Sequence, residues 1–171
     1  MPQVPDLYGW RGTPPDPLAH PELYDGLIWR RLVAYVFDCI AIGVVVLAGW
    51  VGLTFLGILS FGLLLPLVPV ALGLLPLLYH ALQVGGRQHA TLGMRLLDLQ
   101  VRTWDGELPD FWQGFLMAAL FYATLAFTGS LIMLVVCFND RRRTVHDYLS
   151  GVVVVRRSLG ARVIAPAMPA A

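Results

Sequence analysis

Residues 29–50 read WRRLVAYVFDCIAIGVVVLAGW, and this stretch decides the fold class. Trp29 and Trp50 bracket it, 21 positions or roughly 32 Å of helix apart. That length matches the ~30 Å apolar thickness of a bilayer, with tryptophans where an interfacial aromatic belt would lie. From Leu32 to Leu82 the only formal charge is Asp38, so the run is long enough for two membrane helices joined by a tight turn. Gly52, Thr54, Gly57 and Ser60 are expected to mark that turn. A second span of about 58–82 would then be kinked at Pro66, Pro69 and Pro76 and end near the opposite headgroups at Tyr79 and His80.

Composition agrees with a membrane chain. Of 171 residues, 57% are hydrophobic and 13% charged, and the mean hydropathy is +0.69; a soluble domain carries about a quarter charged residues. Twelve basic residues, all arginine, against eleven acidic ones leave a net charge of +1 and no basic field for nucleic acid. Cys39 and Cys137 each sit alone in an apolar run, which predicts small core residues and neither a disulfide nor a metal site. No cofactor is expected. Residues 1–26 hold six of the twelve prolines and no apolar signal core. They read as a Pro-rich cytoplasmic tail with little fold, insertion relying on the first internal apolar segment, and 158–171 as an Ala/Pro-rich tail.

Between these lies one transmembrane domain, 27–157. Residues 83–110 form a polar connection in which 97–102 alternates apolar and polar side chains before Asp105-Gly106, the pattern of a strand entering a turn. The valine run 152–155, extended to Arg156, supplies a second strand, and the two are expected to pair at the cytoplasmic surface. Phe111 to Phe138 is uncharged over 28 residues, more than one untilted span and less than two. Gly114, Ala118, Ala119 and Ala123 offer small-residue faces for a close helix. Thr128-Gly129-Ser130 is the natural break. Arginines before the first span and in the polar connection, with none between the first two spans, predict a cytoplasmic N-terminus and connection. The arginine-rich C-terminal section favours a broken or re-entrant third segment returning to that side; a plain third crossing is the rival. The fold class is thus an all-α membrane protein, a small polytopic bundle of three apolar segments with a strand pair.

Three blocks stand in order: 29–38 (WRRLVAYVFD), 91–97 (TLGMRLL) and 142–155 (RRTVHDYLSGVVVV). Together they resemble the RDD family of bacterial membrane proteins, named for one arginine and two aspartates, over about 27–157. The resemblance places the arginine on Arg31, with Arg30 adjacent, and the aspartates on Asp38 and Asp147. Met94 stands where the family often has a basic residue, and Ser150 where alanine is frequent. It implies a polytopic module of the inner (cytoplasmic) membrane, with transport of ions or small ligands proposed for some members.

Apart from the family, Arg31 and Asp38 lie seven apart on one helical face with Tyr35 between them, and Asp38 falls near mid-bilayer. An unpaired carboxylate there is costly, so Asp38 is expected to be protonated, paired or facing water. A polar clasp that fixes helix packing ranks slightly ahead of a cation or proton site. Arg31 and Asp38 are read as a coupled pair, and Asp147 as able to reach Arg30 or Arg31 if the C-terminal section returns. His146 and Asp147 read as structural. Arg141, Arg142 and Arg143 read as topology anchors or lipid-headgroup contacts. Thr91 to Leu97, carrying Arg95, reads equally as a short interfacial helix or as packing. His20 and His89 are assigned nothing. The leading function is an accessory or scaffold module, not an enzyme, its partners the lipid bilayer and a second copy or another membrane protein. Transport through Asp38 is the alternative, and a membrane enzyme a remote one.

Overall fold

The computed structural model describes residues 12–128 and 140–158. It is mostly helical, with one antiparallel strand pair. Helix α1, Leu27–Leu59, runs 33 residues, about 50 Å, beyond both tryptophans. It starts after Gly26, whose φ of +66° sets the left-handed entry. The expected turn lies further on: Gly52, Thr54 and Gly57 are helical, and the chain reverses at 60–64. There Ser60 Oγ donates to Gly57 O (2.8 Å) and accepts from Leu64 N–H (3.1 Å). Two glycines of α1 admit the returning chain: a Cβ on Gly49 would meet the Leu75 side chain at 2.7 Å and one on Gly57 the Leu65 side chain at 2.5 Å, whereas one on Gly52 would meet nothing within 4 Å.

A 3-10 turn, Leu65–Leu67, leads into α2, Val68–Val84, which returns antiparallel to α1. The three prolines are not three kinks. Pro66 lies in the 3-10 turn and Pro69 in the first turn of α2, where no N–H is needed, so Pro76 alone interrupts the helical ladder. Both helices are long and apolar enough to cross a membrane. The flank of α1 that carries Val36, Ile40, Val44, Leu47, Val51 and Phe55 is exposed, as are Trp29 and Trp50. Cys39 also is exposed, contrary to the expectation of a core residue.

The polar connection folds. Thr91 Oγ1 accepts the Met94 N–H and caps α3, Leu92–Leu96. The left-handed Asp98 (φ +60°) then turns the chain into β1, Leu99–Thr103, so the strand begins two residues later than its alternation suggests. Asp110 Oδ1 accepts the Gln113 N–H at the start of α4, Phe111–Thr128. Gly85 and Gly114 let α4 lie directly on α2: a Cβ on Gly85 would meet Phe111 Cα at 2.4 Å, and one on Gly114 would meet Ala81 O at 2.9 Å. The small-residue face at Gly114 and Ala118 is thus used within the chain. Residues 129–139, with Cys137 and most of the proposed break, lie outside the described residues, as do 1–11 and 159–171.

The chain resumes at Asp140 and forms α5, Val145–Leu149, and β2, Val152–Arg156. β2 pairs with β1 from Leu99↔Arg156 to Thr103↔Val152. Both faces of this ribbon are buried. Val152 and Val154 pack with Leu99, Val101, Leu27, Ala34, Val84 and Met117. Val153 and Val155 are covered by Leu23 and Tyr24, with Trp104 alongside. The part of the N-terminal tail from Pro15 to Gly26 is therefore folded: Leu23 and Tyr24 are buried, and Tyr24 OH donates to Pro15 O (2.9 Å). The four-valine run requires this, because its second face would otherwise remain bare. The start of α1, the end of α2, the start of α4, α5 and the ribbon gather at one end of the long helices.

Candidate functional site

Asp38, on the inner face of α1, is 3% exposed. Its Oδ1 accepts from Tyr79 OH of α2 and from the Gly93 N–H of α3, both at 2.9 Å, and its Oδ2 accepts from Thr91 OH at 2.5 Å. The last two donors depend on α3 approaching the α1 backbone, where only glycine fits: a Cβ at Gly93 would lie 2.0 Å from Ala34 O. One carboxylate thus ties α1 to α2 and to α3. Arg31 is not among its partners. Two turns of axial rise separate the residues, and donors from α2 and α3 fill the space around the carboxylate.

Arg31 turns instead to Asp147, Nη1 to Oδ2 at 2.5 Å. Asp147 is fully buried, and its Oδ2 also accepts the Thr144 N–H at 3.0 Å, closing the start of α5. His146 Nε2 lies 2.9 Å from Thr144 Oγ1 and 3.6 Å from Asp147 Oδ1. Burial pushes the Asp147 carboxyl up, but Arg31, His146 and the Thr144 N–H outweigh it and hold the group below the ordinary carboxylate range. Burial pushes the His146 imidazole below its ordinary value, against the opposing pull of Asp147.

The arginine triplet has no single role. Arg143 is buried, so it is not a headgroup anchor: its Nε donates to Val152 O (3.0 Å), its Nη2 to Asp147 O (2.9 Å), and its Cζ sits 4.0 Å from the Tyr148 ring centre and 4.7 Å from that of Trp104. The guanidinium of Arg141 lies over Trp104 at 5.6 Å, and Arg142 adopts a left-handed backbone (φ +52°). Arg30 donates to Leu97 O (2.9 Å), pinning the end of α3 to the start of α1. Arg95 is exposed and stands apart from the charged group.

Arg31 and Asp38, but not the arginine triplet or Asp147, border a cavity of about 270 Å³. Arg31, Tyr35 and Asp38 line it from α1, His80 from α2, Thr91 and Met94 from the α3 region, Met117, Ala118 and Phe121 from α4, and Thr144 and His146 from the start of α5. Tyr35 and His146 meet Phe121 edge-on, with centroids at 5.9 and 5.1 Å. His80 Nδ1 lies near Pro76 O (3.0 Å) and Tyr122 OH (3.2 Å). Chemically this is an apolar chamber with a few polar groups on its wall, the ordinary form of a small-ligand site. Among the described residues no three His, Cys, Asp or Glu side chains gather as a metal site.

The structure therefore brings Arg31 to Asp147, as the sequence allowed, and keeps Arg31 from Asp38. Tyr79 and Thr91, the true partners of Asp38, were missed, although the placement of Thr91 as an N-cap before Leu92-Gly93 was a usable signal. His89, assigned nothing, bridges two segments, its Nδ1 lying 3.2 Å from Val84 O and 3.1 Å from Pro109 O.

No curated protein and no solved structure matches the chain. The model of the RDD family matches residues 26–151, which takes in all of α1 through α5 with both aspartates and their partners, and the chain belongs to the RDD family.

Proposed function

We propose that this chain is a multi-pass module of the cytoplasmic membrane, in which α1 and α2 cross the bilayer and the ribbon end lies on the cytoplasmic side with the N-terminus. It acts as an accessory or scaffold protein, and does no chemistry of its own. The observation that carries this reading is the coordination of Asp38. Three donors from two other elements fill its acceptor positions, which is what a packing clasp needs and what an exchanging site must give up. The exposed apolar flank of α1 supports contact with lipid and with a second copy or another membrane protein. The arginines, none of them between 32 and 86, support the orientation.

Labelling of Ser158→Cys in a background without native thiols tests the topology: the thiol is expected to be protected from outside intact cells, and external labelling would refute the orientation. Proteoliposome flux tests the role. The scaffold reading expects no proton- or cation-dependent flux that distinguishes wild type from Asp38→Asn. A flux lost in that variant would instead establish transport, the second reading, which the cavity beside Asp38 favours.

A further inference from the structure

Arg31, on the wall of the cavity, carries unmet hydrogen-bond donors. Arg31 uses Nη1 for Asp147, while its Nε and Nη2 are buried and have no acceptor among the described residues. Buried guanidinium N–H groups are seldom left this way, and Arg31 lines the chamber, so a ligand that reaches these donors must offer acceptor atoms. Its charge follows from the surroundings. Of the lining residues only Arg31 and Asp38 are formally charged, one of each sign, so a bound anion would arrive as an unmatched buried charge. An uncharged acceptor avoids that cost, and the plainest is a carbonyl oxygen.

The remaining walls describe the body of the ligand. Leu32, Met94, Met117 and Phe121 make most of the lining apolar, and the Phe121 ring stands edge-on to Tyr35 and His146. At about 30 Å³ per water, 270 Å³ is roughly nine waters' worth of space. That fits a head or a single ring, and not a whole lipid. Leu32 both lines the chamber and is half exposed on the outer side of α1, between the exposed Trp29 and Val36, which gives access from the flank. We propose that this cavity binds the head of an uncharged, carbonyl-bearing amphiphile, a quinone or an ester lipid, with Arg31 Nε and Nη2 donating to the carbonyl oxygen. The access route rests on the membrane-spanning reading above; the binding site does not.

The test is calorimetric titration of the full chain in a neutral maltoside detergent with decylubiquinone, decyl acetate, decanol and decanoate. One of the two carbonyl compounds is expected to bind at least tenfold more tightly than decanol or decanoate, and the tighter one identifies the head. Ala118→Leu, which fills the chamber from α4, is expected to abolish binding while the protein still melts cooperatively. Arg31→Lys keeps a cation opposite Asp147 but removes the two free donors, and should erase the tenfold preference. If that variant does not fold, the ligand series and Ala118→Leu decide alone. Absence of binding by both carbonyl compounds, decanoate binding as tightly as either, or unchanged binding in Ala118→Leu overturns the proposal. A topology or flux result against the scaffold reading leaves these titrations unaffected, so the two can fail separately.

Discussion

Arg31 and Asp147, 116 residues apart in sequence, meet in a buried ion pair that joins the first turns of α1 to the start of α5. Removing one partner leaves the other charge buried, which typically costs 3–5 kcal/mol, whereas removing both costs less than the sum. Arg31→Ala is therefore expected to lower thermal stability in detergent sharply, and Arg31→Ala with Asp147→Asn to recover part of the loss. Arg31 and Asp38 share no contact, so Arg31→Ala and Asp38→Asn should add. Strong coupling between those two, with none to Asp147, would refute the pairing.

Asp38 should respond to shape and charge differently. In Asp38→Asn the amide keeps one acceptor oxygen toward Tyr79 and the Gly93 N–H, and the Thr91 hydroxyl can rotate to accept, so a loss of roughly 1 kcal/mol is expected. Asp38→Ala orphans three donors and should cost several times more. Equal melting of the two variants would show that the carboxylate is not the clasp.

Gly93→Ala tests the approach of α3 to α1. With its Cβ position 2.0 Å from Ala34 O, the added methyl must displace α3, a loss of at least about 1–3 kcal/mol. The same change at Gly43, where a Cβ meets nothing within 4 Å, should be neutral or slightly stabilising. Melting of both variants decides, and a neutral Gly93→Ala would count against the close contact.

The pH dependence has two parts of the same sign. The folded-state pKa of Asp147 is depressed, so its stabilisation is full above the unfolded value near 3.8 and is lost as pH falls through the lower folded value. His146 is also depressed. The unfolded imidazole takes up a proton first, and stability falls as pH drops below about 6.5 toward the folded value. Melting temperature is thus expected to decline already between pH 7 and 5. His146→Gln should flatten that interval and leave the acid limb in place; an unchanged slope would show that His146 does not titrate on unfolding.

What was legible in the sequence was what local pattern controls. The alternation in 97–102 and the valines of 152–155 foretold two strands and their pairing, and the same-end return of the chain made Asp147 accessible to Arg31. Asp38 was located correctly as a buried carboxyl, but its partners lie 41 and 53 residues away, and helical periodicity shows which face a side chain occupies without showing what will cover it. The turn after α1 was misplaced for a related reason. In apolar helices glycine marks close neighbours as readily as chain reversal, and Gly49 does so against Leu75. The covering role of Leu23 and Tyr24 was hidden by the prolines around them.

The doubly covered ribbon imposes an order on biogenesis. β1 leaves the ribosome about fifty residues ahead of β2, and Arg31 precedes Asp147 by 116. At 5–20 residues per second, Arg31 waits on the order of ten seconds for its counter-charge, and Leu23 as long for the valines it shields. A nascent chain arrested before residue 147 would present an unmatched arginine and an open strand edge together.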